Sequence, residues 1–297
     1  MNKHLVELES EAIFILREVV ASFDRPVLLF SGGKDSIVLA HLAKKAFYPA
    51  KIPFPFLHID TGYNFPETIA FRDDLVQKLG VKLLIGSIEA ALFEGWLQEP
   101  IDKFIGRNRL QSDVLKQMIV VNAIQVAIGG ARRDEDKARA KERIFSIRSK
   151  DGGWNPENQS PELWSIFNPN LHVGQHFRVF PLSDWTERDI WDYILEENIK
   201  VPSLYFAHKR KVVDLNGQLF PYFPTLEGER KSKVFEQTVR CRTIGDMPTT
   251  GMWKSNAATI PDIIKELDAA NITERGLRLD DKNSESSMED RKKDGYF

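Results

Sequence analysis

Four short apolar runs in the first 130 residues, PVLLF, FPFLHID, VKLLIGS and QVAIGG, are each preceded or followed by a stretch with helical spacing. Buried strands of that kind, alternating with helices, predict a parallel sheet covered on both faces. The first helix places Leu5, Leu8, Ala12, Ile15, Leu16 and Val19 on one side. IVLAHLAKKAF follows the first strand as a second helix. PETIAFRDDLVQKLG follows the next strand, with Pro66 at its start and Gly80 at its stop. A helix in LQSDVLKQMIVVN leads to a strand that ends at Gly129 and Gly130. Ligands of such sheets bind beyond the carboxyl ends of the strands. Those ends here carry SGGKDS, HIDTGYN and GGARRDE, so three polar segments are expected at one edge.

The texture changes after about Arg148. DGGWNPENQSPELWSIFNPN is an excursion in which Trp154, Leu163, Trp164 and Phe167 are expected to be buried. RVFPL reads as a further strand, and Thr186 as the cap of a helix whose inner face shows Ile190, Tyr193 and Ile194. Asn216-Gly217 between apolar runs signals a two-residue hairpin. The chain divides into an N-terminal helix (1–24), an α/β domain (25–200) that includes the excursion (150–177), and a C-terminal region (201–297). The tail of that region, from about Asp280, is expected to be mobile on its own.

Lysine and arginine total 41 against 43 acidic residues, which leaves no basic footprint for nucleic acid. One cysteine, Cys241, excludes an intramolecular disulfide and a cysteine-rich zinc site. His172 and His176 have helical spacing, but Gly174 lies between them and no glutamate follows His172, so no metal site is predicted. Glu7, Glu9, Glu11, Arg17 and Glu18 interrupt the N-terminal apolar residues. No run approaches the ~18 apolar residues of a membrane span. A cytoplasmic protein without membrane contact is expected.

SGGKDS is not a Walker A loop, which needs glycine at 28 and Ser or Thr at 35; this chain has Leu28 and Asp35. The physics of anion binding is still present. Glycines let backbone amides approach a phosphate, the following helix offers its positive end, Ser31 and Ser36 add hydroxyls, and Lys34 adds a charge. A plain strand-to-helix turn would favour glycine or asparagine without asking for the whole hexapeptide.

Placed after an apolar strand, SGGKDS resembles the pyrophosphate loop of the N-type ATP pyrophosphatases. GGARRDEDKARAKER, RVFPLSDWTERDIWDYI and RTIGDMPTTG narrow the likeness to phosphoadenylyl-sulfate reductases and the ATP-binding small subunits (CysD type) of sulfate adenylyltransferase. KAFYPAKIPFPFLHIDTGYNFPE, NPENQSPELW and MEDRKKDGYF resemble the second group more closely. The likeness runs from about Leu8 to Phe297. The reductase reaction needs a cysteine near the chain end, where this chain has none, and Cys241 reads as a small apolar strand residue. The resemblance implies ATP and sulfate as substrates, magnesium arriving with the nucleotide, and adenylyl sulfate and pyrophosphate as products. It also implies a larger GTPase subunit (CysN type) as partner, with GTP used only there. The excursion and the tail are candidate docking surfaces for it. Another ATP pyrophosphatase, or a noncatalytic ATP-binding module on the same fold, stays as the alternative.

The same resemblance assigns Ser31, Gly32, Gly33, Lys34 and Ser36 to a pyrophosphate cradle. Asp35 orients the loop or meets a magnesium-bound water; a helix-start acid favoured by the dipole is the plainer account. Asp60, Thr61 and Gly62 fall in the nucleotide pocket, or are strand-end turn residues. Gly130, Arg132, Arg133 and Arg139 match the shared pattern, and Arg132 or Arg133 is expected to hold sulfate or the α-phosphate, with Lys34 as the third catalytic group. Alternating charges in RRDEDKARAKER also suit a solvated helix. Arg240, Arg242, Gly245 and Asp246 are expected to form a second basic lip. Trp185, Thr186 and Asp189 read as structural.

Overall fold

The computed structural model describes residues 1–99, 107–215, 217–223 and 234–269. Its first helix, α1 (Lys3–Ser22), begins where the Asn2 side chain accepts the Leu5 amide, and buries Leu5, Leu8, Ala12, Ile15, Leu16 and Val19. Five parallel strands and one reversed strand follow. They are β1 (Pro26–Leu29), β2 (Phe56–Asp60), β3 (Leu83–Ser87), β4 (Val126–Ile128), β5 (Phe145–Arg148) and β6 (His176–Val179), in the order β3-β2-β1-β4-β6-β5. The chain winds outward from β1 to β3 and then crosses to β4. The crevice between the β1 and β4 exits is therefore the switch point at which such sheets bind ligands.

Both faces of the sheet are covered, as the near-continuous apolar strands require. Leu28, Phe30, Phe56 and Val126 belong to the main core, with α1, α2 (Lys34–Phe47) and α6 (Glu187–Glu196). On the other face Val27, Leu57 and Ala127 meet Leu115 and Ile119 of α5 (Asn108–Val121). The helix read between Pro66 and Gly80 is α3 (Pro66–Leu79). It stops at Gly80, which is left-handed (φ 64°) and donates its N–H to Gln77. Thr186 caps α6 in a reciprocal box with Asp189. A short α4 (Ile88–Phe93) follows β3, and α7 (Ile260–Asp268) is the last described helix.

Three features differ from the sequence reading. The edge strand β5 runs antiparallel to β6, so the sheet is mixed. RRDEDKARAKER forms two 3-10 turns, Arg133–Glu135 and Lys137–Lys141, rather than a helix. In the excursion Trp164 is 87% exposed and Leu163 61%, where burial was expected. Phe167 does pack on the core, stacking on Phe145 at 4.4 Å, and polar bonds hold the rest of that segment. The Glu162 carboxylate accepts the Ile144 and Phe145 amides at 3.0 and 2.7 Å, and Gln159 accepts the Ile147 amide at 2.8 Å. These contacts satisfy the open edge of β5.

Strands β7 (His208–Leu215), β8 (Gln218–Pro221), β9 (Phe235–Cys241) and β10 (Met252–Lys254) close into a small antiparallel barrel. β7 and β8 form the expected hairpin, with Gly217 at φ 82°. Asn216 and the tail from Asp280 lie outside the described residues. No described helix is long and apolar enough to cross a membrane.

Candidate active site

The β1 exit turns into α2 through SGGKDS. Gly32 takes φ 77°, a left-handed conformation natural only to glycine, and Gly33 is the N-cap of α2. A Cβ at Gly32 would stand 2.5 Å from Thr68 Cγ2, so the missing side chain lets the start of α3 close on the loop. Ser31 Oγ accepts the Gly33 amide at 3.2 Å, and Ser36 Oγ donates to the Gly33 carbonyl at 2.9 Å. The Lys34 amide donates to the Tyr205 hydroxyl at 2.7 Å. The Lys34 ammonium lies 3.0 Å from Asp35 Oδ2, and Arg132 Nε donates to Asp35 Oδ1 at 2.8 Å. Asp35 thus ties the loop to the β4 exit.

A cavity of about 260 Å³ opens over this turn. Among the residues singled out in the sequence, Ser31, Gly33, Lys34, Asp35, Ser36, Gly130, Gly245 and Asp246 line it. Gly32 stays beneath the loop as a packing residue. Gly130 allows close approach: a Cβ there would lie 3.1 Å from the Asp35 backbone. Asp60, Thr61 and Gly62 shape the β2 exit without lining the cavity. Asp60 Oδ1 accepts the Gly62 amide at 2.8 Å, and Thr61 Oγ1 donates to Asp246 Oδ1 at 2.8 Å.

Four of the five arginines singled out in the sequence do not line the cavity. Arg132 is fully buried against Asp35. Arg133 pairs with Asp184, Arg240 with Glu266 at 2.8 Å, and Arg242 with Glu187 at 2.7 Å. The expected basic lip is accordingly not basic at the cavity: residues 243–246 form that wall, while Arg240 and Arg242 flank the Trp253 ring. The arginine that does reach the cavity is Arg139. Sequence reasoning missed Asn64, Thr68, Gln111, Glu135 and Tyr205 as wall residues. Asn64 was within reach, since HIDTGYN had already been placed at this edge. Tyr205 lies 171 positions from Lys34, and no local pattern links them.

His58 also lines the cavity. Its Nδ1 lies 2.8 Å from the Phe30 carbonyl, and burial lowers its pKa, which keeps it neutral with Nδ1 as the donor. Cys241 is fully buried in β9, and burial pushes its thiol up to about 12. A thiol nucleophile therefore has no place here.

A glycine loop at the switch point, with a lysine and two hydroxyls facing a cavity, defines a nucleotide-binding α/β protein. Residues 25–252 match the phosphoadenosine phosphosulfate reductase domain family. Over 295 residues the chain is 52% identical to sulfate adenylyltransferase subunit 2 of Mycobacterium tuberculosis, covering 99% of this chain and 94% of that one. The Mycolicibacterium gilvum protein of the same name is 51% identical over the same span. The chain belongs to the sulfate adenylyltransferase subunit 2 family. Among solved structures it is similar to the phosphoadenylyl-sulfate reductase of Candida auris, with TM-score 0.44, 15% identity, and 69% of this chain and 90% of that one covered.

Proposed function

We propose that this chain is the ATP-binding catalytic subunit of a sulfate adenylyltransferase, converting ATP and sulfate to adenylyl sulfate and pyrophosphate. A sulfate oxygen forms a bond to the α-phosphorus while the bond from that phosphorus to the α–β bridging oxygen breaks. Pyrophosphate leaves with the electron pair. Little covalent work falls to the protein, so positioning and charge stabilisation dominate. Ser31, Ser36 and Lys34 would hold the departing pyrophosphate, and Asp35 with Arg132 would fix the loop that carries them. Magnesium would enter with the triphosphate, neutralise its charge and be held chiefly by phosphate oxygens, with Glu135 and Asp246 facing its water shell. Full-length identity to subunits of this name carries the reading, and the lysine-bearing loop on the cavity supports it.

Sulfate joined to AMP is a high-energy mixed anhydride, and no catalyst moves that unfavourable equilibrium. A GTPase subunit whose hydrolysis drives the step is the partner this reading requires. The test incubates the chain with a candidate GTPase subunit, ATP, GTP and labelled sulfate. Labelled adenylyl sulfate that depends on GTP is expected. ATP cleavage independent of sulfate would refute the assignment, and so would full turnover by the isolated chain without GTP.

A further inference from the structure

The reaction proposed above brings two anions into one cavity, the triphosphate and the attacking dianion. Lys34 serves the first. Among the described residues, the only other permanently cationic side chain on the cavity wall is Arg139. It arrives on the 3-10 turn Lys137–Lys141, beyond β4, and so from an element separate from the glycine loop. The other candidate arginines are tightly bound: Arg132, Arg240 and Arg242 each donate at 2.7–2.8 Å to a carboxylate. Arg139 is held loosely. Its Nε is 3.3 Å from Glu135 Oε2 and Nη1 is 3.8 Å from Glu142 Oε2, and the Nε N–H makes no hydrogen bond although it is buried.

Behind Arg139 lies an unusual concentration of positive charge. Arg148 and Arg178 project from one face of the β5–β6 pair, beside Ser146 and His176. Glu142 receives both Arg139 and Arg148, so one buried carboxylate serves two guanidiniums, Arg139 having Glu135 as well. Burial and the neighbouring Arg148 push Arg178 well below its usual range, and burial lowers Arg148. Guanidiniums crowded in a low-dielectric interior favour an additional anion, and their planar fork suits a tetrahedral oxyanion.

We infer that Arg139 is the residue that receives the sulfate dianion, with Arg148 and Arg178 as positioning residues behind it. This rests on the sulfate adenylyltransferase reading. It moves the sulfate contact from Arg132 and Arg133, where the sequence pattern put it, to the one arginine that lines the cavity among the described residues, and whose two ion pairs are both long.

The test compares wild type, Arg139→Lys and Arg139→Met in the complex with the GTPase subunit, reading the KM for sulfate and, separately, ATP binding by equilibrium titration. Loss of charge-assisted hydrogen bonds should raise the sulfate KM ~10- to 100-fold in Arg139→Met and less in Arg139→Lys. ATP affinity should stay within about twofold, since uniform loss of binding appears in KM for the ligand concerned. Competitive inhibition by perchlorate, an oxyanion that cannot form the anhydride, should weaken in parallel. A role confined to structure would lower kcat and ATP affinity together and leave the perchlorate constant unmoved, which would overturn the inference. Weakened ATP binding with an unchanged sulfate KM would also overturn it, by making Arg139 a triphosphate contact. A wild-type complex that cleaves ATP without sulfate would refute the underlying assignment as well, which separates the two failures.

Discussion

Gly32→Ala tests how the loop is built. At φ 77° an alanine pays a left-handed backbone cost of ~1–2 kcal/mol. Its Cβ would stand 2.5 Å from Thr68 Cγ2, about 1 Å inside normal carbon–carbon contact. Thr68 sits in the first turn of α3 and is buried, so its methyl can turn away only into packed neighbours. Overpacking of that kind costs ~1–3 kcal/mol, which gives ~2–5 kcal/mol in total. Thr68→Ser deletes the offending methyl, and the nearest Thr68 atoms that remain are the carbonyl oxygen at 3.7 Å and Cβ at 3.9 Å, both ordinary contacts. Alone it should cost ~1 kcal/mol for one buried methyl. Added to Gly32→Ala it should remove the steric part, leaving the backbone cost and a favourable coupling of ~1–3 kcal/mol. Urea unfolding of the four proteins gives the stabilities, and ATP titration reports whether the loop keeps its shape. Strict additivity, or a Gly32→Ala protein within ~0.5 kcal/mol of wild type, would refute the account.

Native Cys241 should resist iodoacetamide at pH 8, because a buried thiol with a pKa of about 12 is almost entirely protonated; stoichiometric labelling without denaturant would contradict this. Trp164→Ser should change stability by less than ~0.5 kcal/mol in the isolated chain, since the ring is 87% exposed; calorimetry showing a loss of several degrees would say otherwise. His176 is held neutral by burial and by Arg178 and Arg148, with its pKa lowered to about 3. The unfolded chain binds that proton first, so the stability is complete above pH ~6.5 and is lost as pH falls toward 3, with a slope of up to ~1.4 kcal/mol per pH unit. His176→Gln should flatten that part of the acid limb in urea unfolding, and an unchanged slope would remove His176 from the cause.

Much of the fold was legible because its signals are local. A four-residue apolar run, a proline at a helix start and a left-handed glycine at its stop are each read within one window, and β1, α3 and the α6 cap came out where those signals stood. The glycine loop was legible for the same reason. The arginines were not. Their roles depend on carboxylates 26 to 97 positions away: Glu266 for Arg240, Asp184 for Arg133, Glu187 for Arg242 and Asp35 for Arg132. A motif supplies the cation without the counter-ion, so it cannot separate a buried strut from a substrate contact. The excursion failed differently. Burial was inferred from Trp154, Leu163, Trp164 and Phe167; Phe167 does pack on Phe145, but Leu163 and Trp164 lie exposed, and glutamate and glutamine side chains pairing with a bare strand edge hold much of the segment in place.

The cavity is a joint product of the parallel sheet and the chain beyond it, and this bears on how the loop is controlled. Tyr205, from the turn Ser203–Tyr205 beyond α6, takes the first amide of α2. Asp246 accepts Thr61 Oγ1, residues Asn64 and Asp246 bridge, and the Met247 amide donates to the Tyr63 carbonyl at 2.9 Å. The β2 exit is therefore stitched to the segment between β9 and β10, and the loop to the segment before β7. Displacement of either segment would alter the cavity wall without touching a loop residue. A contact made on the barrel side would therefore bear on the β2 exit through Asp246 and Met247, and on the α2 N-terminus through Tyr205, with no change required in the sheet.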